Sequence, residues 1–390
     1  MTSTAHPFTV LPEPATELDQ DHRGVWLPTG RMVAARFHEL RRRRGLMITL
    51  AGVTIGIPTV YLAIRLILHA VAPHTYGPAG GFDVYVGMVA GVLYLFGFVV
   101  AATLGATAGS CDLTEGVFRH HVITGRSRMA LYLARIPAGL AIIWAMVAIG
   151  FAIVCAVCSF AAPTSLYYDG VRVPVQLSEP ALEQWAASHA STVVNNFPLS
   201  LSNGTRPASP GCLPGGGPVP GGGIVTKRPA NQGSATCSPA ELRALAVQVA
   251  KQDYPDYQRQ FLSPPVSLMV KTGLWIELEA AIGFLVGLGL SSLIGQRTVA
   301  IVLLIILEVI VTPIAARVHL PHMVNLQRAV IGIATAQVEP GHLPTPFGGG
   351  GVADQSMFLH ESTTTAVFVI VAWLVVWSAL GAWRMMTRDA

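Results

Sequence analysis

Charge is what this chain has least of. Of its 390 residues, 12% are charged and 52% are hydrophobic, whereas a soluble domain carries about 25% charged residues. Composition alone would also fit a large buried core, but the distribution of charge excludes that reading. Asp, Glu, Lys and Arg are nearly missing from several long stretches and crowd together between them. A run of about 20 apolar residues rises ~30 Å as a helix, the thickness of the hydrocarbon layer. Lipid offers backbone N–H and C=O groups no partner, so such runs must be helices.

Other absences narrow the function. No Gly-x-x-x-x-Gly-Lys-[Ser/Thr] stretch occurs, so the chain lacks the usual cradle for ATP phosphates. The glycine run at 215–223 shares only its composition and reads as flexible linker. His38-Glu39 and His360-Glu361 invite a zinc-protease reading, but the required second histidines are Arg42 and Thr364. No catalytic set and no metal site emerges. His189, Asp169 and Glu179 form no recognisable constellation. The net charge of +4 is small and points to no nucleic-acid partner. The first 30 residues hold no apolar core segment, so a cleavable signal peptide is not expected.

What is present reads as an all-α membrane protein with about six transmembrane helices. Residues 1–27 are polar and hold Pro7, Pro12 and Pro14, the composition of a disordered cytoplasmic tail. Over 28–44, Val33, Phe37 and Leu40 share one helical face beside Arg31, Arg41 and Arg42, as in an amphipathic helix lying among lipid headgroups. Membrane helices one to three fill 45–161, with spans at 46–71, 83–108 and 131–161. Pro58 is a source of a kink in the first. Gly87, Gly91, Gly97 and Gly105 offer close packing in the second. The loop 109–128 between spans two and three carries Arg119, Arg126 and Arg128 and belongs inside.

Residues 162–270 are an extracytoplasmic insertion rich in Pro, Gly, Ser and Asn, with a helix expected at 238–252 that Ser238 caps and Pro239 begins. Cys212 and Cys237 are its two cysteines, and an oxidising compartment favours a disulfide between them. Membrane helices four and five fill 271–317, at 272–294 and 299–317. An extracytoplasmic or re-entrant segment follows over 318–360, with helical potential at 322–337. The sixth helix and a cytoplasmic end occupy 361–390. Both termini then lie inside, in a multi-pass plasma-membrane protein.

Cys155 and Cys158 are spaced as in redox and zinc sites, but no second pair or histidine cluster accompanies them, so they read as two small residues on one helix. Charges inside spans are costly and mark function. Glu277 and Glu279 fall early in the fourth span, where exposure to headgroups is a sufficient account. Glu308 falls in the middle of the fifth. It either pairs or takes up a proton in the bundle interior, or lines a substrate path.

The most specific stretch runs from Gly105 to Arg128 and on through Ala134-Arg135-Ile136-Pro137. Its Asp112, Glu115, Gly116, Phe118, Arg119, Gly125, Arg126, Ser127 and Arg128 resemble the first cytoplasmic loop of type-2 ABC exporter permeases, particularly actinobacterial ones. The six-helix plan, the 28–44 helix and a half-buried segment before the last span are similar to that family too. The insertion of about 109 residues over 162–270 departs from the short outer loops of many members. The resemblance implies a cytoplasmic coupling helix at about 111–124. Asp112, Glu115, Gly116, Phe118, Arg119 and Val122 would dock it on a separate ATP-binding cassette subunit. It also implies a second permease copy or homologue, export of a hydrophobic or lipid-like compound, and no cofactor on this chain, with ATP and Mg on the partner. A proton-coupled secondary transporter using Glu308, and a membrane-anchored enzyme with its site in the outer loop, are the alternatives.

Overall fold

The computed structural model describes residues 27–72, 79–114, 127–163, 166–168, 171–175, 177–196, 238–252, 254, 257, 263–317, 323–340 and 362–387. Six of its helices are long and apolar enough to cross a membrane: α2 (Arg44–Val71), α3 (Phe82–Cys111), α4 (Arg128–Phe160), α8 (Val266–Ile294), α9 (Arg297–Ala315) and α12 (Thr363–Thr387). The protein is a multi-pass membrane protein. Three of these helices widen to a π turn, at Gly52–Gly56 in α2, Val89–Tyr94 in α3 and Ile306–Val311 in α9.

Before the first span lies α1 (Gly30–Arg42). Its buried positions are Met32, Arg36 and Leu40, four apart; Met32 packs on Ala130, Leu131 and Ala134 of α4. Val33 and Phe37, expected at the centre of that stripe, only border the core. An arginine tolerates the buried position because Glu39, one turn on, holds its Nη1 at 2.6 Å.

Burial ranks the spans. The apolar windows of α8 and α3 are 72% and 65% buried, against 22–28% for the other four, so these two form the centre and the rest wrap them. Small residues bring the pair together, as they must where lipid is as apolar as leucine. A Cβ on Gly105 would collide with the Phe284 carbonyl, one on Gly283 would lie 2.7 Å from Phe98 O, and one on Gly287 would lie 2.5 Å from Ala102 O. Gly87, Gly91 and Gly97 meet nothing within 4 Å, so of the four glycines expected to pack, Gly105 is the one in close contact.

The helix containing α3 continues to Thr114, so 109–114 extend the second helix, and the rest of the coupling helix expected at 111–124 lies outside the described residues. Polar side chains there return to their own backbone: Thr107 bonds Thr103 O and Ser110 bonds Ala106 O, each at 2.8 Å. A Cβ on Gly109 would lie 2.6 Å from Leu288 O, which makes this residue part of the α3–α8 contact.

Parts of the insertion fold, and not entirely as helix. An antiparallel hairpin, β1 (Leu166–Tyr168) with β2 (Val171–Val173), pairs Leu166 with Val173. Helices α5 (Glu179–Ser188), α6 (Ala190–Asn196) and α7 (Pro239–Gln252) follow. Val173, Leu182, Ala186, Val193, Ala246, Ala250 and Tyr257 close a small core of their own. Cys212 and Cys237 lie outside the described residues.

Ser238 and Glu241 form a reciprocal cap on α7: Ser238 N–H donates to Glu241 Oε2 at 2.8 Å and Glu241 N–H to Ser238 Oγ at 3.3 Å. The bond from the Ser238 backbone holds the Glu241 carboxyl below its ordinary range. A depressed carboxyl stabilises the fold above that range and loses its contribution as pH falls through the lowered value. Amide exchange over 239–252, corrected for its intrinsic rate, is therefore expected to accelerate in acid. Glu241→Gln, which keeps the shape and cannot titrate, should remove that dependence. Equal acid profiles in both proteins would dispose of the cap.

The last loop holds two short helices, α10 (Val324–Arg328) and α11 (Ile331–Gln337). All residues from Ile331 to Thr335 are buried, so the chain turns back into the bundle before α12. Three side chains bond backbone carbonyls across this turn: Gln327 Nε2 to Ala315 O at 3.3 Å, Trp373 Nε1 to Ala329 O at 2.8 Å and Trp275 Nε1 to Thr335 O at 3.0 Å.

Candidate functional site

The returning helix α11 completes a buried polar cluster. Span α3 supplies Tyr94 at the end of its π turn, α8 supplies Trp275 and Glu279, α9 supplies Glu308 from within its own π turn, and α11 supplies Thr335. Each π turn inserts an extra residue and re-aims the side chains after it, a device frequent at functional sites. Here two of them converge: Tyr94 Oη donates to Glu308 Oε1 at 3.1 Å. Thr312 Oγ1 gives its proton to Leu307 O at 3.0 Å and lies 3.5 Å from Glu308 Oε2.

Aromatic stacking holds the phenol in place. The Tyr94 and Trp275 rings lie 5.0 Å apart and within 4° of parallel. Gly332 makes room for the carboxylate, since a Cβ there would lie 3.0 Å from Glu308 Oε2. Thr335 lies beside Tyr94 and Glu279, with its own hydroxyl donating to Gly332 O at 3.2 Å. Glu279 in turn feels the charge of Glu308 and of Glu339. Glu279 and Glu308 are 2% and 1% exposed, which places both carboxyls out of contact with water.

Headgroup exposure therefore fails as an account of Glu279, although it suits the half-buried Glu277 better. The two residues are only two apart, and a helix turns about 200° between such positions. Glu308 lies in the bundle interior. Tyr94 and Thr335 carried no sequence signal, since neither is charged and each looks like an ordinary member of its helix.

A second cluster lies where spans two, three and four meet. Arg135, 1% exposed, donates from Nη1 to Gly109 O at 3.2 Å, and Ser292 Oγ donates to the same carbonyl at 3.4 Å. A buried arginine thus ties the start of α4 to the end of α3, on either side of the loop expected to do the coupling. Asp112 belongs to the last turn of the α3 helix. Glu115, Gly116, Phe118, Arg119 and Val122 lie outside the described residues.

Comparison with protein-family models, curated proteins and solved structures finds no match. The site must be read from its own chemistry. Among the described residues, no group of three or more His, Cys, Asp or Glu side chains is placed to hold a metal ion. Cys155 and Cys158 are free thiols on α4. What the four-helix cluster offers is two enclosed carboxyls with hydroxyls beside them, a combination suited to binding a proton.

Proposed function

We propose that the chain is the membrane-spanning permease subunit of an ABC exporter, driven by a separate ATP-binding cassette subunit. The observation that carries this reading is the helix pair α10–α11, turned back into the bundle between the fifth and the last span. Type-2 exporter permeases, whose first cytoplasmic loop the stretch at 105–128 resembles, have such a segment at that place. The surface helix α1 ahead of the first span and the six-span order support the same family.

In this reading both termini and the stretch expected as a loop at 109–128 face the cytoplasm across the plasma membrane, as the placement of arginine favours. Two copies, or this chain and a homologue, enclose the path for a hydrophobic or lipid-like cargo. ATP and Mg bind the partner, which carries out the hydrolysis. ATP shifts the bundle only because it binds the closed partner dimer more tightly than the open one. Arg135 and Gly109 would pass movement of the loop into α3 and α4 together.

Purification from the native host tests this directly. A co-purifying subunit with a phosphate-binding loop, and ATP hydrolysis that requires both chains, are expected. A chain that purifies alone and moves cargo on a proton gradient without ATP would replace this reading with the proton-coupled carrier, which the burial of Glu308 favours as the second choice.

A further inference from the structure

Glu279 Oε1 has no hydrogen-bond partner among the described residues, in a side chain 2% exposed. Buried polar atoms are almost always satisfied, because leaving one bare costs its full desolvation. A lone carboxylate in so dry a place is costlier still. Glu308 is treated differently, with one phenolic donor at 3.1 Å and the Thr312 hydroxyl at 3.5 Å. Two carboxyls in one enclosure with unlike partners are the arrangement in which one holds a proton while the other remains an acceptor.

The groups facing the pair are all acidic or neutral. Tyr94 faces it from α3, Glu339 from the end of α11, and Thr312 from α9. No lysine, arginine or histidine acts on either carboxyl among the described residues. Between the two carboxyls lie two hydroxyls: that of Tyr94, bonded to Glu308 at 3.1 Å, and that of Thr335, beside both Tyr94 and Glu279. The Thr335 hydroxyl also lies 3.2 Å from Gly332 O, and it turns freely about its Cβ–Oγ bond to serve either neighbour.

We infer that Glu279 and Glu308 form a proton-binding site within the helix bundle, with one proton resident on Glu279 and the Thr335 and Tyr94 hydroxyls as its route to Glu308. Uptake forms an O–H bond on Glu279 and neutralises it. Transfer moves that proton through the two hydroxyls, each accepting one proton and releasing another, and ends with an O–H on Glu308. No electron moves. The site joins α3, α8, α9 and α11, so a movement of α11 that separates Thr335 from its neighbours breaks the route. This inference does not rest on the permease reading.

The test uses the purified full-length protein in lipid nanodiscs, without any ATPase. A hydrophobic carbodiimide attacks protonated carboxyls shielded from water, and mass spectrometry locates the adduct. An adduct on Glu279 is expected, its yield falling about tenfold per pH unit beyond the midpoint of titration. Infrared spectra should show a protonated-carboxyl band that shifts in D2O, lost in Glu279→Gln and retained in Glu308→Gln. If Glu279→Gln does not fold, the pH titration of that band in the unaltered protein decides. A Glu279 yield independent of pH, an adduct on Glu308 alone, or protection by sodium or potassium ions at constant pH would each overturn the proposal. A failed search for an ATPase partner would leave these results standing.

Discussion

Gly105→Leu is expected to destroy the stable bundle. The Cβ it adds would overlap the Phe284 carbonyl, a backbone atom in the interior of α8 that no side-chain rotation can move aside. Overpacking a well-filled interior costs about 1–3 kcal/mol even when side chains can yield. Here the alternative is to push α3 and α8 apart along their length, losing the neighbouring contacts of Gly109, Gly283 and Gly287 as well. Thermal unfolding in detergent, followed by size-exclusion chromatography, should show a large drop in melting temperature or wholesale aggregation. Gly91→Leu, at an exposed position with nothing within 4 Å, should change stability by no more than about 0.5 kcal/mol. A Gly105→Leu protein that melts like the parent would mean that the two central helices are not in backbone contact.

Glu115→Lys and Phe118→Ala are expected to abolish ATP-driven transport while leaving the protein in the membrane. Under the proposed function, this stretch docks on the ATP-binding subunit. A docked aromatic anchor is typically worth about 2 kcal/mol or more, about 30-fold in affinity. In the coupling helix that the resemblance implies, reversing the charge at 115 would also set a lysine beside Arg119, four residues on, turning an attractive i,i+4 pair into a repulsive one. Co-purification of the ATPase should weaken by that factor, and cargo export should fall to background, with unchanged membrane abundance and melting temperature. Normal export from both variants would remove the docking assignment and leave the bundle without a defined source of work.

The spans were readable because the bilayer imposes one rule on each of them. Their limits were less so, for local reasons. The fourth helix begins at Val266 rather than 272, because Pro265 takes the extended backbone that precedes a helix. The second helix passes 109 to Thr114, with Ser110 bonding its hydroxyl to Ala106 O, a bond that composition does not reveal. The Pro- and Gly-rich insertion offered only the helix at 238–252 to sequence reading, yet apolar residues scattered from Val173 to Tyr257 meet in one core. That meeting depends on contacts between positions more than 80 residues apart, which no local pattern encodes.

Residue order alone marked out the six stretches long and apolar enough to cross a membrane. About 20 apolar residues in a row have one stable state in lipid, whatever their neighbours do. Glu308 was conspicuous for the same reason, as a charge where charge is expensive. Tertiary packing decided which groups meet it. Glu277 and Glu279 are alike in sequence, and the faces of α8 covered by α3 and α11 enclose Glu279 beside Thr335 while leaving Glu277 half-buried. Tyr94 reaches Glu308 across 214 positions because π turns in two helices rotate both side chains toward one point. Such a rotation depends on packing against neighbouring helices, which only the assembled bundle supplies.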